Sequence, residues 1–246
     1  HLYKKLQREG QLERDVDRLV RNDRIAWGSS MIACKDADAM VTGNIRHYAA
    51  SIEKLKKVTD PRPGEEIFGM TMITLKGKTI LVADTNVQDF PSPERLVKVS
   101  KSCVRVARLF GFDPKVAFLS HSTFGKPISK NTKHVRDAIE LLKNEKVDFD
   151  FDGEMQPDVA LNPIYQEIYP FSKIVGNANI LIMPALHSAA ISTKLMKVFG
   201  GGKLIGPLLI GLGSPIEVAP LRASTSEILN LASIAAYSSD VIDYSN

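Results

Sequence analysis

The sequence predicts an α/β fold, with mainly parallel sheets flanked by helices. Three observations carry this expectation. From about residue 92 onward, short β-branched or apolar runs alternate with amphipathic stretches, the pattern of strands joined by right-handed helical crossovers. Hydrophobic residues make up 44% and charged residues 24%, as in folded globular chains rather than disordered ones. The 246 residues are also enough to bury a sizeable core.

Taken in order, residues 2–9 and 12–22 read as two amphipathic helices punctuated by Gly10, with Leu12, Val16, Leu19 and Val20 at helical spacing. Further helix is expected within 24–35. The short apolar run 38–43 ends in glycine and suits a buried strand feeding a helix over 48–57. Pro61, Pro63 and Gly64 then interrupt the pattern as an extended hinge or turn, and a domain boundary is expected near them. Runs 69–75 and 79–83 flank Lys76, Gly77 and Lys78 as a hairpin. Ser92, Pro93 and Glu94 open a long helix to Phe110, which Gly111 ends. Strands over 116–120, 147–151, 179–183 and 204–210 then alternate with helices over 132–143, 157–169 and 188–199. A last helix covers 225–237.

The formal net charge of +4 suits an anionic ligand, but the basic residues are spread out, which argues against nucleic acid. Cys34 and Cys103 form no CxxC pair, so neither a disulfide framework nor a zinc site is expected, and a reducing cytoplasm fits best. No apolar run approaches the roughly 20 residues that span a bilayer, so no membrane partner is expected. The start at His1 is the expectation for a fragment or a processed chain.

Several familiar motifs fail. Gly77-Lys78-Thr79 lacks the upstream glycine of a phosphate loop, Gly200 to Lys203 precedes a strand, and no GxGxxG follows one. The five histidines show no metal spacing. Asp150, Asp152 and Glu154 are either magnesium ligands, an acid/base pair, or a helix cap with solvated acids. The 120–126 loop leaves the carboxyl end of a predicted buried strand, where ligands of open α/β sheets gather. Its Ser120, Ser122, Thr123, Gly125 and Lys126 form either a cradle for a phosphate or carbonyl oxygen or an ordinary hydroxyl-capped loop.

Ordered segments over 38–43, 116–123, 151–154, 176–184 and 205–211, followed by Pro215, resemble the phosphate acetyl/butyryltransferase family across essentially the whole chain. Further segments, including Arg46-His47-Tyr48, Val82-Ala83-Asp84, Ser122 to Gly125, Asp152 to Met155 and His187 to Lys194, resemble the regulatory branch of that family fused behind malic enzymes. The resemblance implies two α/β subdomains, the second inserted in the first. Residues 1–61 and 208–246 form a first domain lacking its opening units, and 62–207 form a second domain that carries a dimer interface.

In active members the carboxy-terminal motif reads Ser-Arg-Gly, with an Asp seven residues after the Ser acting as general base for the CoA thiol. Counted without gaps from Pro215, this chain has Pro220, Leu221, Arg222 and Glu227 there, and Glu53 stands where another family arginine aligns. Proline offers no hydroxyl and leucine no charge, so two contributions to the transition state are missing. The resemblance therefore implies no catalytic residues. It implies an acetyl-CoA effector held by Arg46, Tyr48, Ser122, Thr123, Lys126, Lys194 and Arg222, and a homodimer or higher homo-oligomer. It further implies a malic enzyme catalytic domain in the same polypeptide, which itself uses NADP and a divalent metal. A working phosphate acetyltransferase and a purely structural oligomerisation domain are the competing expectations.

Overall fold

A computed structural model describes residues 1–83, 89–127, 130–242 and 244. Its elements in chain order are α1 (Leu2–Leu6), α2 (Glu13–Asn22), α3 (Arg24–Ala33), β1 (Met40–Gly43), α4 (Tyr48–Val58), β2 (Phe68–Leu75), β3 (Lys78–Ala83), α5 (Pro93–Leu109), β4 (Lys115–Leu119) and α6 (Lys133–Asn144). There follow β5 (Asp150–Met155), α7 (Pro157–Leu161), β6 (Ile180–Ile182), α8 (Leu186–Phe199), β7 (Lys203–Ile210), β8 (Ile216–Ala219) and α9 (Thr225–Val241). Two compact units result, His1–Ile67 with Ile205–Asn246, and Phe68–Leu204.

In the first unit, β1 pairs in parallel with β8, Met40 opposite Ile216 and Gly43 opposite Ala219. The pair is tight because Gly43 has φ +104° and a Cβ placed there would lie 2.3 Å from the Ala219 carbonyl oxygen; only glycine fits. Leu2, Leu6, Val16, Ala26 and Val58 pack as one cluster, with Leu19 and Val20 against it. Leu12 stays outside α2 and 53% exposed, so the helical stripe starts one turn later than the spacing suggests. The proline segment is tied within this unit rather than swinging freely. Pro61 bridges Leu212, Arg62 N donates to the Gly211 carbonyl at 2.9 Å, and Gly213 N donates to that of Asp60 at 2.8 Å.

A six-stranded sheet runs β5-β4-β6-β3-β2-β7, and its first five strands make up the sheet of the second unit. The β2–β3 hairpin turns through Lys76 (φ 50°) and Gly77 (φ 76°), the positive dihedrals that match the twist of a two-residue hairpin. The remaining interior pairs β3–β6, β6–β4 and β4–β5 are parallel. Ser92 caps α5 by accepting from Arg95 N, with Pro93 at the first helical position.

Several elements differ from the sequence reading, α9 among them, which runs on to Val241 rather than ending at 237. β5 begins at Asp150 rather than 147, β8 went unpredicted, and the 157–169 helix stops at Leu161, followed by a 3-10 turn over Pro163–Glu167. No helix of the described residues is long and apolar enough to cross a membrane.

Candidate functional site

The 120–126 loop leaves the carboxyl end of β4 and folds around a carboxylate from the neighbouring strand β5. Glu154 is 1% exposed, and its Oε1 accepts from Ser122 Oγ at 2.9 Å, Gly125 N at 3.0 Å and Arg136 Nη1 at 3.3 Å. Its carbonyl accepts from Phe124 N at 2.7 Å. Ser120 stands 3.1 Å from the Ser122 hydroxyl, and Arg136 is steadied by Thr132 Oγ1 at 2.9 Å. Thr123 and Lys126 exchange backbone hydrogen bonds of 2.8 and 3.1 Å across Phe124 and Gly125, both at positive φ. The loop's Ser122 hydroxyl and Gly125 N–H are thus directed at a carboxylate of the chain itself.

Of the seven residues put forward for ligand binding, three sit in this loop. Ser122 is fully buried and its hydroxyl is directed at Glu154. Thr123 is 8% exposed and accepts from Gln156 N at 3.2 Å. Lys126 projects outward from the same loop. Lys194, on α8, is exposed and makes no ion pair among the described residues.

Arg46, Tyr48 and Arg222 belong to the first unit. Arg222, at φ 58°, donates its backbone N–H to the Asn44 carbonyl at 3.0 Å, which brings it to the β1–α4 turn that carries Arg46 and Tyr48. Arg46 donates to Asp23 at 3.1 Å, and Lys54 pairs with the same carboxylate. Burial alone would raise the Asp23 pKa; Lys54, Arg46 and the N–H groups of Ala26 and Ile25 outweigh it and hold it at about 2. A depressed carboxylate adds stability above its ordinary pKa of 3.8 and loses it as pH falls toward 2. Asp23→Asn should therefore flatten the acid limb of unfolding below about pH 4. An unchanged limb in acid titration followed by circular dichroism would refute this.

The acidic trio does not assemble. Asp152 accepts from Gly153 N at 2.9 Å and Lys173 N at 2.7 Å, while Glu154 faces the loop. Among the described residues no group of three or more His, Cys, Asp or Glu could hold a metal. Asp84 lies outside the described residues. Glu154 was visible in the sequence as one of that trio and within the family-like segments 151–154 and Asp152 to Met155, while Arg136 carried no signal at all.

At the carboxy-terminal motif, Pro220 and Leu221 lead through Arg222 into a capping box. Ser224 Oγ accepts from Glu227 N at 3.3 Å, while Glu227 Oε2 accepts from Ser224 N at 2.8 Å and from Ser224 Oγ at 2.9 Å. The carboxylate aligned with the family base thus closes the first turn of α9.

The sequence model of the family described as Phosphate acetyl/butaryl transferase matches residues 1–236. An NADP-dependent malic enzyme of Rhizobium meliloti is 46% identical over 236 residues, covering 96% of this chain and 31% of that protein. A phosphate acetyltransferase of Bacillus subtilis is 27% identical, covering 93% of this chain and 72% of that protein. A crystal structure of a phosphotransacetylase from Streptococcus pyogenes superposes with a TM-score of 0.89 at 28% identity, covering 97% of this chain and 74% of that one. The chain spans about a third of the malic enzymes it matches, 31% in the Rhizobium meliloti protein. The family model covering residues 1–236 and the structural superposition agree: the chain belongs to the phosphate acetyl/butaryl transferase family.

Proposed function

We propose that this chain is the acetyl-CoA-binding regulatory module of a multidomain NADP-dependent malic enzyme, and that it does not itself transfer acetyl groups. The observation that carries the reading is the carboxy-terminal motif. Pro220 and Leu221 supply neither hydroxyl nor charge, and the Glu227 carboxylate is engaged by Ser224 at the start of α9. A general base must reach the proton it removes, and a carboxylate accepting from both the N–H and the hydroxyl of its own cap is poorly placed to do so.

For binding, the exposed Lys126, Lys194 and Arg222 suit the phosphates of CoA, and Arg46, Tyr48 and Thr123 complete the candidate set. Ser122 contributes to this reading by shaping the loop around Glu154. NADP and the divalent metal belong to the catalytic domain, and a cytoplasmic location goes with the reading. A homodimer is supported by α8, where Ile191, Leu195, Val198 and Phe199 lie at helical spacing and are 52–82% exposed. The effector acts by preferring one of two arrangements of the whole protein, a preference that must appear reciprocally in its own affinity.

The second reading, a working phosphate acetyltransferase, is favoured by the Bacillus subtilis relative and the Streptococcus pyogenes structure. Two measurements separate them. Acetyl transfer between acetyl phosphate and CoA should be undetectable, whereas turnover of about 1 to 1,000 per second, typical of enzymes, establishes the second reading. Saturating acetyl-CoA should raise the melting temperature of the chain and lower malate turnover by the full-length protein. Neither effect, with the fold intact, leaves a structural domain.

A further inference from the structure

The second unit carries a groove at the end of its sheet opposite the 120–126 loop. One wall is a single face of α5, with Lys101, Val104, Arg105, Arg108 and Leu109 at spacings of three and four; the other is the segment from Glu145 to Phe149 that enters β5. The walls are pinned together at both ends. Lys101 pairs with Glu145 at one, while Arg108 Nη1 meets Asp148 at 3.0 Å and Arg108 Nη2 donates to the Asp148 carbonyl at 2.9 Å at the other. Between the pins lies a space of about 590 Å³, with Val104, Leu109, Val147 and Phe149 supplying apolar surface. Both glutamate and aspartate of the lining are committed to the pins. Lys146 is exposed and has no ion pair among the described residues.

We propose that this groove binds a small organic anion with an apolar body, its carboxylate or sulfonate group directed at Lys146. An apolar floor with a few placed charges is the usual make-up of a small-molecule site, and 590 Å³ falls within the size range of such sites. Lys101 and Arg108 are balanced by Glu145 and Asp148, so the exposed Lys146 is the charge that selects an anion over a neutral or cationic ligand. The parallel strands β4 and β5 start beside the groove and end at the 120–126 loop. Five residues of strand separate the two, roughly 17 Å, so the groove can fill independently of the loop. The inference stands apart from the acetyl-CoA reading.

The probe is 1-anilinonaphthalene-8-sulfonate, a fluorescent aromatic body with one sulfonate. Titrated into the chain, it should bind saturably, one per chain, with amide chemical-shift changes centred on 101–109 and 145–149. Lys146→Glu, a surface change expected to leave the circular dichroism spectrum intact, should weaken binding about tenfold or more. The uncharged N-phenyl-1-naphthylamine should bind comparably weakly to the unsubstituted chain. Shift changes centred on the exposed row of α8, non-saturating binding, or equal affinity for chain and variant would each overturn the proposal.

Discussion

Glu154→Ala should lower the stability of the second unit by about 2–4 kcal/mol, because it removes the acceptor of a buried hydroxyl and a half-buried N–H. Three donors lose their acceptor together: the Ser122 hydroxyl, the Gly125 N–H and the Arg136 guanidinium. Glu154→Gln keeps an acceptor oxygen for two of them and should cost less, while still losing the charge that attracts Arg136. Urea unfolding of the three proteins gives the ordering. Equal midpoints for wild type and Glu154→Ala would mean that the loop holds its shape by packing of Phe124 against Tyr169 and Phe171, at ring distances of 5.3 and 4.9 Å.

Raising the pH from 6 to 9 should destabilise the first unit through Glu217. This residue is 4% exposed on β8 and accepts from Leu209 N at 2.8 Å; burial drives its pKa up from 4.5 to about 8, partly opposed by that hydrogen bond. Between those two values the folded chain holds a proton that the unfolded chain releases. Stability therefore falls as pH climbs through the window and levels off above about 8. The whole shift corresponds to a loss on the order of 5 kcal/mol. Glu217→Gln, neutral at every pH and still able to accept from Leu209, should flatten the profile. Guanidinium melts at pH 6, 7, 8 and 9 decide the matter, and parallel slopes for wild type and variant would sink it.

Those two carboxylates also show where the sequence was opaque. The helix from Pro93 was readable because Ser92, Pro93 and Glu94 signal its start locally. Strand β5 was placed three residues early because Asp150, Asp152 and Glu154 look like a solvated acidic run. Only the fold supplies the Lys173 N–H and the Ser122 hydroxyl that make two of them burial-compatible. Strand β8 was missed for the same reason, as Glu217 breaks its apolar character and finds Leu209 only after β7 and β8 come together.

The candidate site was half legible. Hydroxyls, glycine and lysine at a strand's carboxyl end pointed to either a ligand cradle or a hydroxyl-capped loop, and in the fold the Ser122 hydroxyl and the Gly125 N–H turn to a carboxylate of the chain itself. That carboxylate is 32 positions away from Ser122, and no local pattern announces a pairing at that distance. The replacements at Pro220 and Leu221 were legible because they change chemistry in place. The capping role of Glu227 depends on the helix that starts at Ser224, and the aligned position alone did not reveal it.

The parallel pairing of β1 with β8 also bears on the order in which the molecule assembles. Met40 meets Ile216, and the entire second unit is strung between them. During synthesis from the amino terminus, β1 meets β8 only after the second unit has left the ribosome, whereas β3, β4 and β6 have their neighbours by residue 182. The β1–β8 pair therefore closes after the interior of the second unit. Until then the edge of β1 that β8 will occupy is a stretch that a chaperone would have reason to cover.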